Sequence, residues 1–165
     1  MIIRITEIPP DGKKRYEGQE EPTILGLGGN ERLIHAQAPI HYRLLVAMVS
    51  GHLIVQGQVW TEASFGCSRC ARFFASEVRD DQFDRVLDVP GDRTSVDLTM
   101  DIRETILLHF PGYPVCSANC KGLCVQCGAN LNVAPCGCRP PGDRRWCALD
   151  GWSPPGKTER QRRRS

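Results

Sequence analysis

Aromatic side chains are scarce in this chain: five phenylalanines, three tyrosines and three tryptophans among 165 residues. Glycine and proline are plentiful by comparison, at 16 and 12. The hydrophobic core available to a chain of this length is therefore modest. No window approaches 18 uninterrupted apolar residues, so no membrane span is expected. The longest apolar stretch, Leu44 to Val49, has the length of a strand. Met1 to Pro9 alternates apolar and polar residues and lacks a basic segment followed by an apolar one, so it does not read as a signal peptide. A reducing cytoplasm is the expected compartment. No internal repeat recurs at a fixed period.

Catalytic signatures are also lacking. The four histidines, His35, His41, His52 and His109, show no i, i+4 pair of the kind that holds a catalytic metal on a helix. They read as ordinary strand or helix residues. Gly26-Leu27-Gly28-Gly29 has neither the Lys-Ser/Thr of a phosphate loop nor the third glycine of a dinucleotide fingerprint. Asp97, Asp101 and Glu104 suit a helix cap and a solvated face better than acid–base work. Neither an enzyme active site nor a small-molecule substrate is expected.

Cysteine is the residue present in force. Eight of the nine cysteines fall in close-spaced groups: Cys67 and Cys70, then Cys116, Cys120, Cys124, Cys127, Cys136 and Cys138. Loops this short gain little from a disulfide, because closing them restricts the unfolded chain only slightly. The same spacings suit thiolate cages around tetrahedral ions, and reduced thiols in a cytoplasm favour that reading. Cys124-x2-Cys127-Gly128 has the form of a zinc knuckle, with a glycine free to adopt the left-handed turn that closes it. Cys67-x2-Cys70 has the same cysteine spacing. Two knuckles from distant points commonly share one ion, which would leave Cys116, Cys120, Cys136 and Cys138 for a second. One site drawn from a different four is equally open. One or two structural Zn2+ ions are expected, since four thiolates leave no position for a reacting water. Zinc is chosen on its frequency among thiolate-bound ions. Neither C-x-x-C sits at the helix start that thioredoxin-like redox chemistry uses. Cys147, beside Trp146, stands apart.

The net charge of +2 is unevenly spread. From Arg139 to Ser165 there are eight basic and three acidic residues, so the body carries the acidic surplus. Arg69, Arg72, Lys121, Arg139, Arg144 and Arg145 flank the cysteine segments, and Arg162, Arg163 and Arg164 close the chain. Basic groups on a rigid platform suit phosphate contacts, and Trp146 and Trp152 could stack on unpaired bases.

The patterning predicts an α+β fold: an antiparallel β-sheet body with one or two helices, and a cysteine-rich zinc-stapled C-terminal segment. Met1 to Ile8 reads as a strand ended by Pro9-Pro10. Lys13 to Pro22 is polar and reads as a loop. Tyr42–Val49 and His52–Thr61 read as a hairpin across Ser50-Gly51. Phe74, Ser76, Val78 and Asp80 suit a strand leaving the first knuckle. Thr99 reads as the N-cap of a helix whose Ile102, Ile106 and Phe110 share an inward face. The expected organisation is a body over 1–111 carrying the first knuckle, a metal-binding segment over 112–150 packed on it, and a disordered basic tail over 151–165.

These segments resemble a known family. Cys67-Ser68-Arg69-Cys70, Asp97-Leu98-x3-Ile102-Arg103-Glu104-x-Ile106-Leu107-Leu108-x-Phe110-Pro111, and Cys120-Lys121-Gly122-Leu123-Cys124-x2-Cys127-Gly128-x-Asn130-Leu131-Asn132 followed by Cys136-x-Cys138 are similar to the YceD family of large-subunit ribosomal RNA accumulation proteins. Asp143-Arg144-x4-Leu149 matches the family's closing segment. The resemblance spans about Ile40 to Leu149. The chain departs from the family pattern at Ala71-Arg72-Phe73 and at Val125. The resemblance implies a non-catalytic factor in ribosome biogenesis that supports 23S rRNA accumulation by binding precursor rRNA or an early large-subunit particle, with ribosomal protein L32 a possible partner. The alternative is a zinc-stapled adaptor that docks a ribosomal protein or assembly factor.

Overall fold

The computed structural model describes residues 1–10, 12–27, 33–90 and 94–138. Its centre is a strongly patterned hairpin. Strand β4 (Ile40–Val49) pairs antiparallel with β5 (His52–Gly66), and Val49 lies opposite His52. Ser50 (φ 50°) and Gly51 (φ 84°) both take the left-handed conformation between them. Two such residues match the right-handed twist of the flanking strands, which is why this turn closes a tight hairpin.

On β5 every odd residue except Gly57 points inward: Leu53, Val55, Val59, Thr61, Ala63 and Phe65 are buried. The strand continues beyond the expected Thr61 to Gly66, directly before the first cysteine pair. Strand β6 (Phe73–Asp88) returns along its whole length. The register shifts by one residue where Gly57 pairs with Phe83 and Val59 with Asp80. This bulge changes which residues face the core. Phe74, Ser76, Val78 and Asp80 point inward before it, and Phe83, Arg85 and Leu87 after it. A period-2 pattern read along β6 therefore breaks at residues 81–82.

Gly57 marks the same place on β5. A Cβ there would lie 2.1 Å from the Arg43 carbonyl oxygen, so the neighbouring strand can approach only a glycine.

Strand β2 (Lys13–Glu20) pairs with β4 along all eight residues, in a stretch whose polarity reads as a loop. The correction has a simple cause. At the sheet edge most of its side chains meet water, and β4 supplies the hydrogen-bonding partner that its own composition does not advertise. The short β3 (Ile34–His35) pairs with the far end of β5.

The N-terminal strand is shorter than expected. Only β1 (Ile2–Arg4) is extended, followed by a 3-10 turn at Ile5–Glu7. It pairs with β7 (Ser95–Asp97) in a separate two-stranded sheet that places Ile3 opposite Val96, both buried.

The one α-helix among the described residues, α1 (Thr99–Leu108), lies against β5, β6 and the 3-10 turn Pro22–Leu25. Ile102 and Ile106 are fully buried, as their spacing requires. Phe110 follows the helix and packs edge-on against Phe65, with centroids 5.4 Å apart. Each buried aliphatic or aromatic side chain here contributes about 1.5–3 kcal/mol. The cap differs from expectation by one step. Thr99 is the first helical residue, and the Asp97 carboxylate accepts its backbone N–H (2.9 Å) and its hydroxyl (2.6 Å). Arg85 crosses from β6 to donate to Thr105 Oγ1 (2.9 Å) and Asp101 Oδ1 (3.3 Å), giving the buried Thr105 hydroxyl a partner.

The architecture is thus α+β, with a mostly antiparallel sheet, one helix and a cysteine-rich segment beyond it. Among the described residues no helix is long and apolar enough to cross a membrane.

Candidate metal centres

The β5–β6 hairpin does not end in an ordinary turn. Its tip is Cys67-Ser68-Arg69-Cys70, held closed by Cys67 N–H to Arg72 O (2.9 Å) and Ala71 N–H to Cys67 O (2.9 Å). Ala71 takes a left-handed conformation (φ 57°) to complete the turn. Both thiols point inward, and Cys67 and Cys70 are nearly fully buried.

After α1 the chain runs back to this tip. Ser68 N–H donates to Pro114 O (2.8 Å), which brings Cys116 and Cys120 against the knuckle. The Sγ atoms of Cys67 and Cys120 lie 3.9 Å apart, and those of Cys70 and Cys116 3.7 Å apart. All four ligand atoms fall within 4.8 Å of one another. A tetrahedral site with metal–sulfur bonds of about 2.3 Å needs sulfurs roughly 3.8 Å apart. The inner four cysteines therefore fit such an ion.

Cys124, Cys127, Cys136 and Cys138 form a second group under the same 4.8 Å limit. Here the chain folds on itself. Cys124 N–H donates to Ala129 O (2.8 Å) and Gly128 N–H to Cys124 O (2.9 Å), with Gly128 left-handed at φ 71°. A lone bridge pairs Leu123 with Asn130. Regular structure is otherwise absent from described residues 109–138, as expected for a segment whose order comes from thiol clustering.

The common arrangement of two C-x2-C knuckles around one ion is not the one formed. Each knuckle instead joins two cysteines that follow it. The reason lies in position: the hairpin tip meets residues 114–120 first, and the second knuckle lies a turn further along.

Backbone N–H groups set the electrostatics of both groups. Cys67 Sγ accepts from the N–H groups of Arg69 and Cys116, each at 3.4 Å. The Cys116 N–H is the largest influence pulling the Cys67 thiol down to about 6, with burial opposing it. Burial, then hydrogen bonds from the other thiols, push Cys116 up to about 11. For Cys120, burial raises the thiol pKa, but hydrogen bonds from the Gly122 N–H, the Asn132 amide and the Cys116 and Cys70 thiols leave it lowered. In the second group, the N–H groups of Cys127 and Gln126 lower Cys124 to about 6. Cys138 is pushed up to about 12 by its bond to the Cys127 thiol and by burial. Each group thus mixes thiols held low, Cys67 and Cys120 in one and Cys124 in the other, with thiols held high, Cys116 in one and Cys136 and Cys138 in the other. A divalent ion would deprotonate all four.

Asn132 joins the two groups. Its Nδ2 donates to Cys120 Sγ (3.3 Å) and to Asn130 Oδ1 (2.8 Å), while its Oδ1 accepts the Lys121 N–H (2.8 Å). Leu131 N–H to Gly122 O (3.0 Å) and Leu123 N–H to Arg69 O (3.0 Å) reinforce the link. Gly122 is left-handed at φ 77°, and a Cβ on it would lie 3.1 Å from Arg69 O. Sequence reasoning assigned no role to Asn132 or Gly122. The available signals were their places in the family-like segment, the Asn-x-Asn pattern at 130–132 and the glycine between two cysteines.

The expected RNA-binding residues divide. Arg69, Arg72 and Lys121 are exposed around the inner group. Arg69 also turns one nitrogen inward, donating Nη1 to the carbonyls of Ala118 and Cys120, each at 3.1 Å. Arg139, Arg144, Arg145, Arg162, Arg163 and Arg164 lie outside the described residues, as do Cys147, Trp146, Trp152 and the 151–165 tail.

The fold and site define an α+β protein in which the β5–β6 hairpin tip and the segment after α1 together gather eight cysteines into two groups that could hold metal ions. Residues 73–151 match the family model described as "Large ribosomal RNA subunit accumulation protein YceD". Over that stretch the chain is similar to the YceD family. It is 41% identical over 63 residues to a maize protein named large ribosomal RNA subunit accumulation protein YCED homolog 1, chloroplastic, covering 38% of this chain and 22% of the maize protein. The Arabidopsis thaliana protein of the same name is 36% identical over 52 residues, 32% of this chain and 16% of that protein. An uncharacterised Mycobacterium leprae protein is 28% identical over 129 residues, 69% of this chain and 59% of that one. The chain thus spans less than two thirds of each of these relatives. No solved structure matches this chain at a significant level.

Proposed function

We propose that this protein is a zinc-stapled, non-catalytic factor that supports 23S rRNA accumulation and large-subunit assembly by binding precursor rRNA. The observation that carries this reading is the family match over residues 73–151, a stretch that includes six of the eight grouped cysteines and shares its family name with two plant accumulation proteins. Inner cysteines Cys67, Cys70, Cys116 and Cys120 hold one Zn2+ in a closed structural site, and Cys124, Cys127, Cys136 and Cys138 hold another. Zinc supplies folding energy here, which offsets a core short of aromatic residues.

Arg69, Arg72 and Lys121 stand exposed beside the inner site on backbone that the cysteines tie down. Fixed basic groups lose little entropy on meeting phosphates, so this end of the molecule is the phosphate-contacting surface. The arginines from Arg139 onward add salt-sensitive affinity to the same polyanion. The reading places the protein in a reducing cytoplasm.

Ultraviolet crosslinking of the tagged protein in cells, with sequencing of the attached RNA, tests this directly. Enrichment of 23S precursor at a discrete site is expected. Recovery with large-subunit particles but without crosslinked RNA would overturn direct RNA contact. One observation favours the adaptor reading in that event: Val125 (88% exposed) and Val133 (82%) present apolar surface beside the second cysteine group, where a ribosomal protein such as L32 or an assembly factor could dock.

A further inference from the structure

The two cysteine groups share a four-thiol ligand set but differ in burial and in how far apart along the chain their members lie. The inner group joins Cys67 and Cys70, at the tip of a long hairpin, to Cys116 and Cys120 beyond the helix. An ion there ties together points about fifty residues apart in the chain, at the end of a hairpin already held by β5 and β6. Cys67, Cys70 and Cys120 are each 5% exposed or less. Their sulfurs receive bonds from Arg69 N–H, Cys116 N–H and the Asn132 amide.

The outer group lies within a single local loop, from Cys124 to Cys138. Cys127 and Cys138 are exposed, and Cys124 and Cys136 are only partly covered. An open groove of about 430 Å³, lined by Lys121, Leu123 and Val125, also borders Cys124, Cys136 and Cys138, three of the group's four cysteines. Opening this loop costs the rest of the fold little. The bonds from Leu123 N–H to Arg69 O and from Asn132 to Cys120 tie its base to the inner group.

We propose that the outer four cysteines form an exchangeable, peroxide-responsive metal site, while the inner four form a permanent staple. The proposal rests on the metal-binding reading above and extends it to regulation. The oxidant is a peroxide. The exposed Cys127 thiolate attacks one peroxide oxygen. The O–O bond breaks, leaving a sulfenic acid and hydroxide. A neighbouring thiolate of the group, within 4.8 Å, then attacks the sulfenic sulfur and displaces a second hydroxide. An S–S bond forms, two thiolates are oxidised, and one peroxide is reduced to water after two protons are taken up. The ion loses two ligands and leaves. A dithiol reductant returns the electron pair and restores the four-thiolate site.

Native mass spectrometry of the full-length protein, purified without added metal and titrated with hydrogen peroxide, tests this. The expected course is two bound ions at the start, then loss of one ion at about one equivalent of peroxide. Peptide mapping should place the disulfide among Cys124, Cys127, Cys136 and Cys138, with Cys67, Cys70, Cys116 and Cys120 still unmodified. Dithiothreitol with zinc should restore the second ion. The variant Cys127→Ser should release its outer ion more readily to a chelator while keeping the inner ion and an unchanged far-ultraviolet circular dichroism spectrum. Simultaneous loss of both ions, first oxidation at an inner cysteine, or two ions that resist peroxide would each refute the proposal while leaving metal binding intact. A protein that carries no metal under any condition would overturn the metal reading itself.

Discussion

Replacing Asn132 isolates the support that one side chain gives to the inner metal site. Asn132→Ala removes an N–H donor to Cys120 Sγ at 3.3 Å and an acceptor for the Lys121 N–H at 2.8 Å. It leaves all eight cysteines in place. A hydrogen bond to a charged group contributes about 1.5–3 kcal/mol, and a neutral one about 0.5–1.5 kcal/mol. Lys121 is exposed, so water takes over the second bond and most of the loss falls on the thiolate. A net loss of about 2 kcal/mol corresponds to roughly 30-fold in metal affinity, within the 10–100-fold range typical for partners of metal ligands. Competition against a chromogenic chelator at pH 7 would read it as weaker binding at the tighter of the two sites. Asn132→Asp should be worse, because it removes the donor and sets a carboxylate against a thiolate. An Asn132→Ala affinity within twofold of the parent, at both sites, would show that the amide does not support the inner site.

Other residues give separate tests. Gly57→Ala forces a Cβ to within 2.1 Å of the Arg43 carbonyl, so the central strands must part; a loss of about 1–3 kcal/mol, read from the urea midpoint, is expected. Asp97→Ala removes the carboxylate that caps α1 and should cost about 1 kcal/mol at pH 7. The Thr99 hydroxyl and N–H hold the Asp97 carboxyl below the ordinary 3.8, so the stabilisation is present above that value and disappears as pH falls through the depressed one. Urea unfolding of the parent and variant should therefore converge in strongly acidic buffer and differ at neutral pH. Replacing Arg69, Arg72 and Lys121 together with glutamine should reduce the slope of log affinity against log salt for single-stranded precursor rRNA by about 2. An unchanged slope would remove this end of the molecule from the RNA interface.

Much of the fold was legible because its signals are local. The hairpin about Ser50-Gly51 needs two left-handed residues, and the inward face of β5 follows a plain alternation. Ile102 and Ile106 stand one helical turn apart and are buried together. Three features escaped for non-local reasons. Strand β2 is polar and exists because β4 lies beside it. The bulge in β6 reverses the inward face midway, so no single period describes the strand. The helix N-cap fell to Leu98, one residue before Thr99, and the carboxylate that accepts the Thr99 N–H belongs to Asp97, held at the end of β7 by its pairing with β1.

The cysteine spacings by themselves established that this chain carries candidate thiolate sites, and together with the family segments they pointed to the accumulation-protein class. Ligand type and local loop length are properties of the chain alone, and thiolate chemistry follows from them directly. Only the tertiary structure decided the pairing. Which sulfurs come within reach of one another depends on where a hairpin tip and a distant segment meet. That meeting is set by the lengths of β5 and β6 and by the packing of α1 against them, and no spacing between cysteines encodes it.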